Sequence, residues 1–166
     1  MALHHILISV GSNIERSKHV RLARLALELH FESVKCSSVY ESEAVGFHGE
    51  AFYNLVVEAQ TSLSVEKVCE ILKQIEAQNG RRKSDKKFSS RTLDLDLLTY
   101  DCAVIEQPVV LPREEILTNA FVLWPLAELV PNNIHPIVKQ TYRDLWHSFD
   151  QTAQNLWPIK FAWNEG

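Results

Sequence analysis

No glycine-rich phosphate loop ending in Lys-Ser/Thr occurs in the 166 residues, which removes the ordinary P-loop enzymes. The protein-kinase signature set is missing as well. The histidines at 4, 5, 19, 30, 48, 135 and 147 show no metal-ligand spacing, so they read as structural or surface residues. No Ser or Cys stands in a recognisable nucleophile motif. Three cysteines, Cys36, Cys69 and Cys102, are odd in number and far apart. This fits reduced thiols acting as small apolar fillers, and neither a disulfide framework nor a zinc knuckle. No apolar stretch approaches the roughly 20 residues that span a bilayer, and the opening Met-Ala-Leu-His-His lacks the basic end and cleavage site of a signal peptide. A cytoplasmic protein is therefore expected. The net charge of -4 argues against a general nucleic-acid binder. No coiled coil or edge motif announces a partner, and a monomer is the default.

What is present is the composition of an ordinary globular protein, 46% hydrophobic and 23% charged, with no repeat or linker to divide it. One domain over residues 1–149 is expected, with 150–166 as a polar tail whose tryptophans, Trp157 and Trp163, pack on the domain. Leu3 to Val10 reads as a buried strand ending at the turn Gly11-Ser12-Asn13. The next segment carries Val20, Leu22, Leu25, Ala26 and Leu29 at helical spacing, with Ser12 or Asn13 as the N-cap. Val34 to Glu41 and Phe52 to Ala59 read as strands flanking a loop with Gly46 and Gly49. Ser64 opens a second helix with the stripe Val65, Val68, Leu72 and Ile75, which Gly80 stops. A fourth strand follows. Strand, helix, strand, strand, helix, strand is the βαββαβ order of a ferredoxin-like α+β fold, an antiparallel sheet with both helices on one face. A hairpin over Cys102–Leu111 and short helices near 114–117, 121–129 and 141–149 extend it.

The fourth strand carries the chemistry. Arg91-Thr92-Leu93-Asp94-Leu95-Asp96-Leu97-Leu98 sends the leucines at 93, 95 and 97 to one face and Asp94 and Asp96 to the other. Side chains two apart on a strand start roughly 7 Å apart, close enough to share an ion or bracket a pair. Like charges held there repel unless a cation sits between them, and Mg2+ is commonly held by one or two carboxylates plus substrate phosphates. Just upstream, Arg81, Arg82, Lys83, Lys86, Lys87 and Arg91 crowd together against Asp85 alone. A basic loop feeding a di-aspartate strand points to metal-nucleotide chemistry, in which positioning and charge neutralisation do the catalysis and no protein nucleophile is needed. The plainer reading, a solvated strand face after a charged turn, stays open at this point. Ferredoxin-like sheets also bind RNA, but Phe52 and Tyr53 are adjacent and point to opposite faces, so the paired aromatics of that mode are missing.

From about Ile6 to about Trp146 the chain resembles the 6-hydroxymethyl-7,8-dihydropterin pyrophosphokinase family of folate synthesis. The motifs are Gly11-Ser12-Asn13, Phe52-Tyr53-Asn54, Gly80-Arg81, Arg91-Thr92-Leu93-Asp94-Leu95-Asp96 and Phe121-Val122-Leu123-Trp124-Pro125-Leu126, in that order. The resemblance implies transfer of pyrophosphate from ATP to the pterin hydroxymethyl group, leaving AMP, with two Mg2+ ions on Asp94 and Asp96 and Asp96 also easing proton loss from the hydroxyl. It implies that Arg81 and Arg91 grip phosphates and stabilise the transition state, and that Glu76, Lys83 and Arg113 complete the ATP site. It assigns the pterin pocket to Ser42, Val45, Phe52, Asn54, Phe88 and Phe121, with Asn54 reading the pterin edge and Phe121 stacking on it. Lys83 stands where the family often has Arg, Ser42 where Thr is usual and Phe88 where Trp is frequent; three further departures weigh more: Arg113 where His is usual, Asn119 where Arg is usual, and Glu43 where an apolar residue or Pro is common. A diverged relative with altered pterin substrate or weak, regulatory activity is the alternative these departures leave open.

Overall fold

A computed structural model describes residues 2–43, 51–80 and 92–164. Among them the chain runs β1 (His4–Ser12), α1 (Arg16–His30), β2 (Glu32–Cys36), β3 (Val39–Ser42), β4 (Phe52–Thr61), α2 (Val65–Gln78) and β5 (Asp94–Tyr100). Then come α3 (Glu115–Thr118), α4 (Ala120–Leu129), α5 (Tyr142–Ser148) and β6 (Leu156–Ile159). The sheet is ordered β5-β1-β4-β3-β6, with β2 also on β4 and every pairing antiparallel. The single strand expected over 34–41 is thus two strands on one partner. They part at Ser37, which donates its N–H to the Val56 carbonyl at 2.9 Å while its hydroxyl accepts the Val56 N–H at 3.0 Å. A side-chain oxygen there takes the place of a ladder carbonyl, so regular pairing is interrupted. Apart from that break, the core is the expected ferredoxin-like α+β sheet.

Strand alternation gives the sheet two unlike faces. Ile6, Ile8, Val10, Leu55, Val57, Ala59, Leu95 and Leu97 pack beneath α1 and α2, against Val20, Ala23, Leu27, Val68, Ile71, Leu72 and Ile75. Leu7, Val56 and Leu98 point the other way, against α4 and α5 through Val122, Leu123, Leu126 and Tyr142. Burial of each such aliphatic side chain contributes roughly 1.5–3 kcal/mol. Among the described residues, Ser9, Phe52 and Asp94 of that second face remain half-exposed beside the short helices.

Helix α1 buries a different stripe from the one expected. His19, Val20, Ala23 and Leu27 face the sheet, while Leu22, Leu25 and Leu29 are 38%, 59% and 85% exposed. The segment carries two apolar stripes at helical spacing, and only the position of the sheet selects between them. Its N-terminus also differs: Glu15, at φ 43, precedes the helix without a side-chain cap, because the Ser12 hydroxyl is bonded to the carbonyls of Thr92 and Ile14. The expected start of α2 holds, with the Ser64 hydroxyl accepting the Lys67 N–H at 3.2 Å. The hairpin expected over 102–111 reduces to one bridge, Ile105 with Leu111. Cys102 is exposed, in place of the filler role expected of it, whereas Cys36 and Cys69 are half-buried against the core. Residues beyond 150 reach back to the domain: β6 pairs with β3, and Trp163 lies against the Arg24 guanidinium and Phe161, although Trp157 is 41% exposed.

At the far end of β5, Asp101 closes the sheet onto β1. Its carboxylate accepts the His5 N–H at 2.8 Å and meets His4 Nδ1 at 2.7 Å. Burial pushes this carboxyl up, yet the two hydrogen bonds and the nearby imidazoles outweigh it and hold it below its ordinary value. A carboxyl lowered by folding stabilises above its unfolded value of about 3.9 and loses that contribution as pH falls through the lower folded value. Asp101→Asn is a clean probe, because asparagine tolerates the left-handed backbone at φ 51. Its urea midpoint is expected below wild type at pH 7, with the gap closing below about pH 4. A gap that persists in acid overturns the charge argument.

Candidate active site

β5 is an edge strand of the described sheet, and its two sides do different work. Leu95 and Leu97 are buried under α2, which leaves Asp94 and Asp96 half-exposed on the opposite face, beside Gly11 and Ser9 of β1. The outer edge is capped by Glu76 of α2, whose Oε2 accepts the Leu95 N–H at 2.7 Å. Because a carboxylate takes a donor that an edge strand otherwise leaves to solvent, α2 is fixed beside the aspartate strand. Between them opens a cleft of about 550 Å³ whose lining includes Glu66, Lys73, Glu76, Asp94, Asp96 and Arg113. Arg113 is anchored by its own N–H to the Leu98 carbonyl at 2.9 Å, and its guanidinium lies 3.1 Å from Asp96 Oδ1 and 3.2 Å from Glu115 Oε2. A half-exposed pair of this kind adds little stability. Its consequence is placement of a fork of donors at the mouth of the cleft. The Cys69 thiol in the wall is pushed up by burial, against the pull of Lys73 and Arg113, so it is a neutral wall atom and not a thiolate.

On the face that carries the aspartates, one row of the ladder reads Asp94, Gly11, Asn54, Tyr40 across β5, β1, β4 and β3. Gly11 leaves a gap in the middle of this row, since a Cβ there would stand 3.2 Å from Asn54 Oδ1. The amide of Asn54 donates to the Ser42 hydroxyl at 2.7 Å, and both residues are buried. Phe52 pairs with Ser42 one step further on. Phe121 comes to the same place from above. Glu128 accepts from the Ser38 N–H and the Tyr40 hydroxyl, and Trp124 packs on the Tyr40 ring with centroids 5.0 Å apart. The helix therefore runs opposite to β3, and Phe121, one turn before Trp124, falls toward the Ser42 end. Ser42, Phe52, Asn54 and Phe121 are thus gathered at one end of the open face, and Glu76, Asp94, Asp96 and Arg113 at the neighbouring edge. Val45, Arg81, Lys83, Phe88 and Arg91 lie outside the described residues.

Several residues at this site carry no local signal in the sequence. Arg16, the first residue of α1, reaches Glu41 Oε2 at 2.7 Å and the Ala51 carbonyl at 2.7 Å, with its guanidinium 4.0 Å from the Tyr53 ring centroid. It ties the ends of β3 and β4 from beneath, behind Ser42 and Phe52. Gln154 and Asn155 contact the start of α4 and Glu43 from the far end of the chain. A lone arginine and two amides in a polar segment look like surface residues until the sheet closes. Lys73 likewise carries no local signal; the docking of α2 on β5 brings it into the cleft.

A family model described as 7,8-dihydro-6-hydroxymethylpterin-pyrophosphokinase matches residues 7–131. The 2-amino-4-hydroxy-6-hydroxymethyldihydropteridine pyrophosphokinase of Aquifex aeolicus is 34% identical over 142 residues, 84% of this chain and 88% of that protein. Its namesake in Bacillus subtilis is 37% identical over 127 residues, 74% of this chain and 75% of that protein. Among solved structures, Plasmodium falciparum HPPK-DHPS A437G with pteroate superposes with a TM-score of 0.72 over 88% of this chain at 13% identity, a likeness of fold alone. This chain spans 43% of that longer one. With the family match running from β1 through the whole of α4 and the relatives covered over most of their length, the chain belongs to the 7,8-dihydro-6-hydroxymethylpterin-pyrophosphokinase family.

Proposed function

We propose that this chain transfers the pyrophosphoryl group of ATP to the hydroxymethyl oxygen of 6-hydroxymethyl-7,8-dihydropterin, releasing AMP. The observation that carries the proposal is the in-register row from Asp94 through Gly11 to Asn54. Two strand spacings separate its ends, about 10 Å, the scale of a bicyclic heterocycle with a one-carbon arm. A pterin lying along the row has its polar edge at Asn54 and Ser42 and its arm at the aspartates, with Phe121 and Phe52 for the ring faces. Gly11 in the middle leaves room for the ring.

The phosphates belong in the cleft at the β5 edge. Its described lining holds five carboxylates, Glu66, Glu70, Glu76, Asp94 and Asp96, against Lys73 and Arg113. A polyanion enters such a site only with cations, and the oxygen-only donor pair of Asp94 and Asp96 suits hard divalent ions that take their remaining ligands from phosphate and water. Among the described residues no group of three or more His, Cys, Asp or Glu gathers to hold a metal unaided, and two carboxylates plus substrate is the pattern Mg2+ ordinarily uses. When bound there, Mg2+ neutralises charge on the transferring group and orients it. Arg113, in the lining of the cleft, would offer its fork to a phosphate oxygen. Arg81, Lys83 and Arg91 supply further cations in this reading, and Asp96 receives the proton of the attacking hydroxyl. The enzyme works as a monomer in a reducing cytosol, in keeping with three unpaired cysteines.

The test is AMP formation from ATP, Mg2+ and 6-hydroxymethyl-7,8-dihydropterin, with each component omitted in turn. AMP that requires all three is the expected result. A folded protein that binds Mg-ATP and releases no AMP on addition of the pterin overturns the substrate assignment.

A further inference from the structure

We propose that Gln154, with Asn155 beside it, is a positioning residue for the pterin half of the site, an inference that rests on the function proposed above. Helix α4 begins without a cap of its own: the Asn119 side chain makes no capping bond. Gln154 supplies one from 34 residues away, its Oε1 accepting the Ala120 N–H at 2.7 Å while its Nε2 donates to the Thr118 carbonyl at 3.2 Å. The amide therefore grips both sides of the α3–α4 junction, directly before Phe121.

The next residue holds the opposite wall. Asn155 accepts the Glu43 N–H through its carbonyl at 3.3 Å and donates its side-chain amide to Glu43 Oε2 at 3.3 Å. Beyond it Leu156 pairs with Ser42, Trp157 with Glu41 and Pro158 with Tyr40. Two consecutive side chains thus join the turn that carries Phe121 to the strand end that carries Ser42. Glu43 and Asn119, two positions at which this chain departs from the family pattern, are the ones the segment borders. The charge of Glu43 meets a local donor, and the cap missing at Asn119 is replaced.

These bonds are placed to set geometry more than stability. Gln154 is half-buried and Asn155 exposed, and hydrogen bonds within reach of water contribute little to global folding. A displacement of the first turn of α4 by a fraction of an ångström, in contrast, changes the spacing between Phe121 and the Ser42–Asn54 pair, to which a planar ligand is sensitive.

Gln154→Ala is expected to raise KM for the pterin about tenfold, the scale of one positioning hydrogen bond, while KM for ATP stays within about twofold. Gln154→Glu keeps the acceptor for the Ala120 N–H, where a helix N-terminus favours a carboxylate, but loses the donor to the Thr118 carbonyl, so its pterin KM is expected to fall between those of alanine and wild type. ATP binding by each full-length variant serves as the control for folding. An unchanged pterin KM in Gln154→Ala overturns the assignment. So does a parallel rise in both KM values, which is general loosening, or a Gln154→Glu variant no better than alanine. A wild-type protein without pterin-dependent AMP overturns the function reading itself, and the positioning role falls with it.

Discussion

Asp96→Ala is expected to lower pterin-dependent AMP formation by about 10³-fold or more, with the fold intact. The carboxylate is half-exposed, and the buried residues of β5, Leu95, Leu97, Leu98 and Thr99, are left in place by the substitution. What is lost is one of two charges in the donor pair and a partner of Arg113, whose guanidinium keeps Glu115 among the described residues. Asp96→Asn separates charge from shape. It keeps the volume and one oxygen, so a comparable loss in Asn and Ala identifies the negative charge as the working property, whereas an Asn variant near wild type overturns the metal assignment. The measurement is AMP release across a range of Mg2+ concentrations, with thermal melts on the same samples. A variant that retains a tenth of wild-type turnover removes Asp96 from the metal site and from proton acceptance alike.

The second large effect is expected at Asn54. Asn54→Ala removes the amide assigned to the pterin edge, and a site built on hydrogen bonds discriminates steeply when one partner is missing. A fall in kcat/KM for the pterin of about 10²-fold is expected, with ATP affinity unchanged, because the aspartate cleft lies two strands away. The substitution also leaves the buried Ser42 hydroxyl without its 2.7 Å donor, at a cost of about 1–3 kcal/mol in stability. Asn54→Ala/Ser42→Ala distinguishes the two consequences. The double variant recovers stability by removing the stranded hydroxyl, yet its pterin kcat/KM remains low. If kcat/KM recovers together with stability, Asn54 is structural and the edge assignment is wrong.

The positions of the elements were legible because each is a local matter. The alternation from Leu93 to Leu97 fixes a strand with leucines on one face and aspartates on the other, and β5 carries it. Ser64 caps α2 as its position suggests. The failures lie where two local readings were equally good. In α1 the stripes Val20-Ala23-Leu27 and Leu22-Leu25-Leu29 are both helical in period, and the sheet takes the first. Near Ser37 a β-rich run gives no hint that a hydroxyl will stand in for a carbonyl. Between Leu156 and Ile159, four residues in a polar surrounding make a strand only because the free edge of β3 is there to receive them.

The site divides the same way. Asp94 and Asp96, spaced by two on one strand, were decided by the sequence itself, since covalent geometry holds them on one face whatever surrounds them. So was the order of motifs that marks the family. Tertiary structure alone decided that Gly11 lies between Asp94 and Asn54, that Glu76 closes the β5 edge, that Arg113 reaches Asp96, and that Gln154 caps the helix of Phe121. Each of these joins residues 17 to 83 positions apart by a contact of a few ångströms. Such a contact depends on strand register and helix docking, which are set by the burial of the whole core and not by the residues that meet.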